Sequence, residues 1–213
     1  MIYDIDIAKQ IAKSLLQINA IILQPNDPFR WASGWNSPIY CDNRKTLSHP
    51  KIRSYIKREI SNVIMKHYKG SKVIAGVATA GIPHGSLVAD ELGVPFIYVR
   101  SKAKKHGKKN QIEGFYKKDQ SVILIEDLIS SGKSSLDAAA ALKEAGMYVK
   151  GMVSIFSYGF DKAAENFKNA NYEYISLCDY NTLLIEAIQQ KYIKENDLPI
   201  LKEWRQNPAC WKK

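Results

Sequence analysis

The sequence predicts an α/β fold in which helices flank a parallel sheet and a small hood is formed mainly by the N-terminus. Short apolar runs alternate with helical segments between about residues 70 and 180, a pattern typical of parallel sheets covered by helices. About the first 47 residues depart from it, because proline, glycine and aromatic residues interrupt the helical periodicity. The 213 residues are predicted to form one domain, 1–213, with the C-terminal helices joining the hood.

The hood segment begins with a helix predicted over residues 4–23, where isoleucine and leucine recur at helical spacing. Residues 27–47 predict short strands joined by turns. A second helix is predicted to start around Pro50, since proline is favoured in the first helical turn, and to continue to about Ile64.

The core is predicted as a series of strands and helices. In chain order these are strand 73–77, helix 81–92, strand 94–99, strand 121–125, helix 133–145, strand 149–156 and strand 172–177. The carboxyl ends of parallel strands share one edge of a sheet, and ligands bind there. The residues that follow each strand are therefore the first place to look for a site.

The composition bears on compartment and partners. The three cysteines are scattered and form no CxxC pair, so a reducing cytoplasm is expected rather than a disulfide framework or a zinc site. No apolar run approaches a membrane span, and the N-terminus does not resemble a secretory signal, so no membrane partner is expected. The net charge of +10 suits anionic partners such as nucleic acid, nucleotides or phosphorylated metabolites.

The strongest functional pattern is the stretch V-I-L-I-E-D-L-I-S-S-G-K-S-S at residues 122–135. Glu126 and Asp127 follow an apolar run, and Ser130–Ser134 form a turn of hydroxyls and glycine before a helix. Free N–H groups and the helix dipole at such a start favour a phosphate. The two carboxylates suit sugar hydroxyls, or a metal already bound to the sugar. The stretch therefore predicts a ribose 5-phosphate site, and it matches neither the P-loop nor the dinucleotide-binding pattern.

Two further segments could handle anions. Residues 76–85 place small side chains in a turn at a strand end, where main-chain amides can approach an anion closely. Residues 100–109 contain five lysines, one arginine and one histidine, and such a loop could close over a diphosphate leaving group and exclude water. Taken alone, a tight turn and a solvated loop explain these segments equally well.

Three segments together resemble the orotate phosphoribosyltransferases, which are type I phosphoribosyltransferases. Residues 122–134 resemble the motif for phosphoribosyl diphosphate (PRPP): an apolar strand, two acids and a hydroxyl-glycine loop. Residues 29–44, F-R-W-A-S-G-W-N-S-P-I-Y-C-D-N-R, resemble the family's N-terminal signature, and residues 100–107 its mobile catalytic loop. The resemblance covers roughly residues 5–190 and implies a phosphoribosyltransferase core with an N-terminal hood.

The resemblance implies transfer of the 5-phosphoribosyl group from PRPP to orotate, giving orotidine 5′-monophosphate and diphosphate in pyrimidine synthesis. It implies that Glu126 and Asp127 hold the ribose hydroxyls. The other implied contacts are, for PRPP, Leu128, Ile129, Ser130, Ser131, Gly132, Lys133 and Ser134; for orotate, Ser130, Ser33, Gly34 and Tyr40; for the diphosphate turn, Thr79, Ala80 and Gly81; and for catalysis, Arg100, Lys104 and His106.

The same resemblance implies Mg²⁺ as cofactor, carried by PRPP without a direct protein ligand. It also implies a homodimer in which the basic loop, residues 100–112, acts in the partner's active site. The chain departs from the family where some members carry lysine, with Ala32, Ala80 and Ser101 standing at those positions. An arginine that some members place on orotate is absent, and Tyr158 stands nearby.

Two other functions remain open on the sequence. A phosphoribosyltransferase for a purine base or uracil would share the sugar-phosphate motif, although residues 33–44 argue against it. A non-catalytic regulator could bind PRPP and use its positive charge on RNA or DNA, with strongly salt-dependent affinity. The chain has no obvious helix-turn-helix and no basic strand interleaved with aromatics, so no nucleic-acid partner is expected.

Overall fold

The computed structural model describes residues 1–31, 34–102 and 111–211. The described part of the chain contains ten strands: β1 (Ile21–Leu23), β2 (Phe29–Arg30), β3 (Asn36–Ser37), β4 (Ile39–Cys41), β5 (Val73–Val77), β6 (Phe96–Val99), β7 (Ile112–Glu113), β8 (Ser121–Ile129), β9 (Tyr148–Ser157) and β10 (Tyr174–Asp179). Its α-helices are α1 (Ile5–Gln17), α2 (Pro50–His67), α3 (Gly81–Leu92), α4 (Lys133–Glu144), α5 (Asp161–Asn169), α6 (Tyr180–Gln189) and α7 (Leu198–Gln206). Short 3₁₀ helices span Asn43–Ser48 and Glu195–Asp197.

A six-stranded sheet forms the centre of the protein, with the strand order β10-β9-β8-β5-β6-β7. Neighbouring strands are parallel except β7, which runs antiparallel to β6 at one edge. The α/β architecture with a mainly parallel sheet flanked by helices is therefore confirmed. None of the described helices is both long and apolar enough to cross a membrane.

The central strand β8 is apolar on both faces because helices cover both sides of the sheet. Ile123 and Ile125 belong to a core that includes residues of α1, α2, α3 and α6. Val122 and Leu124, which point to the opposite face, pack with residues of α4 and α5. This alternation follows from the two-residue period of a strand, and it fixes the direction in which β8 delivers the residues at its end.

The hood consists of two small antiparallel ribbons, β1 with β4 and β2 with β3, followed by the first 3₁₀ helix. It joins the C-terminus through aromatic packing, since Trp31 lies edge-on to Trp204 of α7 with ring centroids 5.6 Å apart. Tyr158, just after β9, contacts both tryptophan rings. This cluster connects the hood to the carboxyl edge of the sheet.

The helix predicted over residues 4–23 extends too far at its C-terminal end. The helix ends at Gln17, and Asn19 adopts a positive φ of 52°, which ends the helical path. Residues Ile21–Leu23 then pair antiparallel with Ile39–Cys41. The isoleucines of residues 21–23 continue the helical spacing by coincidence. They form a strand because they pair with residues 39–41, which the local sequence does not reveal.

Three features of the core also differ from the prediction. Strand β8 does not stop before the acid pair but continues through Glu126 and Asp127 to Ile129. Helix α5 is absent from the prediction. The predicted loop 100–112 is shortened at its far end by β7, because Ile112 is buried and pairs with Val99 of β6.

Candidate active site

The acid pair lies where the sheet opens on one side of β8. The register with β5 ends at Gly76 opposite Ile125, whereas the register with β9 continues to Ser157 opposite Ile129. The acids thus stand on a strand that is supported by only one neighbouring strand, at the carboxyl edge where parallel sheets bind ligands.

The two acids differ in environment. The Glu126 side chain is buried: one carboxylate oxygen accepts the Asp127 main-chain N–H at 3.1 Å, and the other accepts the Ser135 hydroxyl at 3.2 Å. Ser135 lies in the first turn of α4, so Glu126 ties the strand to the helix after the turn. Asp127 is half-buried, which leaves its carboxylate the more accessible of the two.

Burial raises the pKa of the Glu126 carboxyl well above its usual range, and the neighbouring charge of Asp127 raises it further. Two adjacent carboxylates cannot both ionise easily in a partly desolvated site. Glu126 is therefore the member of the pair that favours a proton, and Asp127 is the better placed to carry the negative charge towards a ligand.

The turn after β8 has the geometry of an anion site. Gly132 has φ of +77°, and a Cβ there would lie 2.4 Å from the Phe167 ring, so this position requires glycine. The Asn166 side-chain amide donates to the Ser131 carbonyl at 2.9 Å and holds the turn from α5. Lys133 and Ser134 are exposed at the start of α4, where unpaired N–H groups favour a phosphate.

The predicted diphosphate turn lies beside the acid pair. Gly81, the first residue of α3, is so close to β8 that a Cβ would lie 2.4 Å from the Ile125 carbonyl oxygen. Thr79 is exposed and Ala80 half-buried, and the peptide between Ala78 and Thr79 is cis. The glycine brings this turn against the main chain that carries Glu126.

A small cavity of about 40 Å³ joins the ends of β5 and β6 to the start of α4. Ala78, Arg100 and Ser134 contribute to its walls, so three predicted parts of the site converge there. A larger surface cavity, about 880 Å³, lies elsewhere, between α1 and the start of α2. We place the site near the smaller cavity, because the end of β5, the base of the basic loop and the start of α4 all line it.

The basic loop leaves the sheet from a fixed base. Arg100 and Gln111 pair across it, with the Arg100 N–H donating to the Gln111 carbonyl at 2.9 Å. The Arg100 guanidinium donates to Glu113 at 3.4 Å, and Lys102 is exposed. The predicted catalytic residues Lys104 and His106 lie outside the described residues.

The hood residues predicted for orotate are only partly placed. Gly34 has φ of +84° and turns the chain between β2 and β3, and Tyr40 is 38% exposed on β4. In the described part of the chain, neither forms a hydrogen bond or ion pair with residues 126–134. Ser33 and Ala32 lie outside the described residues.

Two site residues were missed from the sequence. The Asn43 side chain is fully buried and donates to the Asp127 carbonyl at 2.8 Å. His84 of α3 is also buried, and its imidazole interacts with the Asn43 main chain. Its place within the N-terminal signature, residues 29–44, was the only available signal for Asn43, and nothing in the sequence pairs it with a strand 84 positions away.

Burial lowers the pKa of His84 to about 4, against the opposing effect of the Asn43 main chain. The folded protein thus keeps a neutral imidazole that the unfolded chain protonates below about pH 6.5. Stability from this residue is therefore lost as pH falls from about 6.5 to 4, by about 3 kcal/mol in total. Glu126, whose pKa is raised, changes stability with pH in the opposite direction. The contribution of His84 must therefore be measured as the difference between a His84 variant and the native sequence.

We expect His84→Gln to remove that pH dependence. Urea unfolding at pH 7, 6 and 5 should show that the free energy of unfolding falls less steeply with acid in the variant than in the native sequence. The matched change at an exposed histidine, His67→Gln, controls for loss of an imidazole. Parallel curves for His84→Gln and the native sequence would contradict the assignment.

Comparison with known proteins agrees with this geometry. A sequence model of the phosphoribosyl transferase domain matches residues 44–194. The orotate phosphoribosyltransferase of Cytophaga hutchinsonii is 52% identical over 205 residues, which cover 96% of this chain and 98% of that protein. The chain belongs to the orotate phosphoribosyltransferase family. The family's enzyme from Porphyromonas gingivalis is 50% identical over 96% of this chain and 98% of its own length.

Solved structures show the same fold in the family. The orotate phosphoribosyltransferase of Aeropyrum pernix superposes with a TM-score of 0.75 at 25% identity, covering 86% of this chain and 99% of that one. UMP synthase of Leishmania donovani superposes with a TM-score of 0.77 at 29% identity, covering 93% of this chain and 42% of that one. The family assignment expected from the three sequence segments is thereby confirmed.

Proposed function

We propose that this protein transfers the 5-phosphoribosyl group from PRPP to orotate and releases diphosphate and orotidine 5′-monophosphate, in de novo pyrimidine biosynthesis. One observation carries the proposal: an accessible carboxylate, a phosphate turn and a basic loop base surround one sheet edge in a member of the orotate phosphoribosyltransferase family. Each of these groups meets a different part of PRPP.

Within residues 126–134, separate groups bind the ribose and the 5-phosphate of PRPP. Asp127 accepts hydrogen bonds from ribose hydroxyls, and Glu126 supports it from the buried side. The turn Ser130–Ser134 binds the 5-phosphate with main-chain N–H groups and hydroxyls, and Leu128 and Ile129 place that turn by ending β8. Ser130, Ser33, Gly34 and Tyr40 border the orotate.

The reaction breaks the bond between ribose C1 and a diphosphate oxygen, and orotate nitrogen forms the new bond to C1. Negative charge gathers on the diphosphate as it leaves, and Arg100 with Lys104 and His106 stabilises it where it develops. The small turn at Thr79, Ala80 and Gly81 binds the same group through main-chain N–H groups. The reacting nitrogen of orotate loses its proton as the bond to C1 forms, and the departing diphosphate accepts that proton, so these residues mainly orient the reactants and exclude water.

The residues present fit a Mg²⁺ ion that enters with PRPP. Asp127 supplies a half-buried carboxylate that holds the ribose hydroxyls, and substrate oxygens and water can provide the ligands of Mg²⁺, so the ion needs no direct protein ligand. Among residues 1–31, 34–102 and 111–211, no three His, Cys, Asp or Glu side chains come together as a protein metal site would need. When bound, the ion offsets charge on the diphosphate.

The same proposal includes a cytoplasmic homodimer in which loop 100–112 acts on the partner's active site. The described ends of the loop lie on the edge pair β6 and β7, an edge of the sheet that a neighbouring subunit can approach. Its lysines and arginine serve the diphosphate, and we propose no nucleic-acid or membrane partner.

Turnover with a panel of bases tests the function. With PRPP and Mg²⁺, we expect orotate to be consumed and uracil, adenine and hypoxanthine to remain, and we expect a chelator to stop the reaction. Preference for another base would overturn the orotate assignment. If none of the bases is turned over and RNA or DNA binds tightly with strong salt dependence, the non-catalytic regulator would be favoured instead.

A further inference from the structure

The main chain that carries the acid pair lacks a strand neighbour on one side. The register of β8 with β5 ends at Ile125, although β8 continues to Ile129 beside β9. Main-chain groups past Ile125 on the β5 side therefore need another partner, since buried carbonyls in folded proteins are hydrogen-bonded. Without one, the sheet would restrain the acids from one side only.

Asn43 provides that partner from the hood. Its side-chain nitrogen donates to the Asp127 carbonyl at 2.8 Å, across 84 positions of sequence. A carbonyl can only accept, so the amide must present its nitrogen, and the orientation of the side chain follows from chemistry. The residue is completely buried, which protects the bond from exchange with water.

Asn43 is itself held firmly on two sides. It begins the 3₁₀ helix Asn43–Ser48, where the Thr46 hydroxyl donates to the Asn43 carbonyl at 2.6 Å. On the other side lies His84 of α3, whose imidazole interacts with the Asn43 main chain. Three residues earlier, the same helix presses Gly81 against the main chain at Ile125. The Asn43 main chain is therefore held between the hood and α3, and its side-chain nitrogen reaches the end of β8.

We propose that Asn43 is a positioning residue for the ribose site, which holds the main chain at Asp127 so that its carboxylate meets the sugar hydroxyls. The inference rests on the proposed function, because it assumes that Asp127 binds ribose. Asn43 touches no substrate in this arrangement and acts only through Asp127. It also gives the hood a direct influence on the donor substrate, separate from its contacts to the base.

Asn166 offers a matched control. Its side-chain amide also donates to a main-chain carbonyl, that of Ser131, at 2.9 Å. The bond is of the same kind, but it supports the phosphate turn instead of the acid pair. Loss of Asn166 should affect every ligand that has a 5-phosphate, whereas loss of Asn43 should affect only ligands whose sugar hydroxyl uses Asp127.

The test compares ribose 5-phosphate with 2-deoxyribose 5-phosphate, by equilibrium binding to the full chain. The native sequence should favour ribose 5-phosphate by about tenfold, the size expected for a hydrogen bond to a charged acceptor. Asn43→Ala should reduce this ratio to below about threefold and change the deoxyribose affinity by less than about twofold. Asn166→Ala should weaken both ligands equally, and Asp127→Asn should bring the ratio close to one.

The outcomes separate the inference from the proposed function. If the native protein does not favour ribose 5-phosphate, or if Asp127→Asn keeps that preference, the ribose site is overturned and the inference fails with it. If Asp127→Asn abolishes the ratio but Asn43→Ala preserves it, or weakens both sugars equally, only the positioning role fails. If circular dichroism shows that Asn43→Ala does not fold, Asn43→Ser replaces it in the test. The serine hydroxyl is too short to reach the Asp127 carbonyl, but serine leaves a smaller cavity than alanine does.

Discussion

Replacing Asp127 with Asn is expected to lower kcat/KM for PRPP by about 10- to 100-fold, because a ribose hydroxyl loses its charged acceptor. Asp127 is the accessible member of the acid pair, whereas Glu126 is buried and uses both oxygens within the protein. Initial rates at varied PRPP measure the effect. Ser135→Ala is the matched comparison, because it removes only the internal hydrogen bond to Glu126. It should lower kcat/KM by less than Asp127→Asn does.

The same variant tests whether the basic loop acts in the partner subunit. A chain with Asp127→Asn is mixed with a chain carrying Lys104→Ala, each of which is strongly impaired alone. If the loop works across a two-fold dimer, half of the dimers are mixed and each has one intact site, so about a quarter of the native activity should return. Activity that stays at the level of the separate variants would contradict loop sharing.

Gly81→Ala should have the second large effect, on both stability and activity. The new Cβ would lie 2.4 Å from the Ile125 carbonyl oxygen, and main chain cannot move aside as a flexible side chain can. Overpacking of this kind typically costs about 1–3 kcal/mol, and the start of α3 must move away from the strand that carries the acids. Urea unfolding should show the loss, and kcat/KM should fall with it.

Gly93→Ala is the matched control at the other end of the same helix. Gly93 has φ of +64° and nothing within 4 Å of a Cβ, so the substitution introduces backbone strain of about 1 kcal/mol without a clash. Its kcat/KM should remain that of the native sequence. Equal losses of activity in both variants would show that strain in α3, and not the contact with β8, disturbs the site.

Much of the core could be predicted because its signals are local. The alternating strands and helices, the phosphate turn with its required glycine, and the acid pair all appear within short windows of sequence. The sequence could not reveal that β8 continues through the acids, since Glu126 and Asp127 are poor strand formers. Pairing with β9 up to Ser157 stabilises the extended conformation there.

The alternation of most core strands and helices, the phosphate turn and the pair of acids after an apolar run follow from the sequence alone, because residue type and spacing decide them. The tertiary structure decided the environment of each acid. Glu126 is enclosed by Ser135 and its own neighbour, Asp127 is left accessible, and Asn43 reaches it from the hood. Burial and hydrogen-bond partners depend on residues far apart in the chain, so only the folded arrangement could reveal these environments.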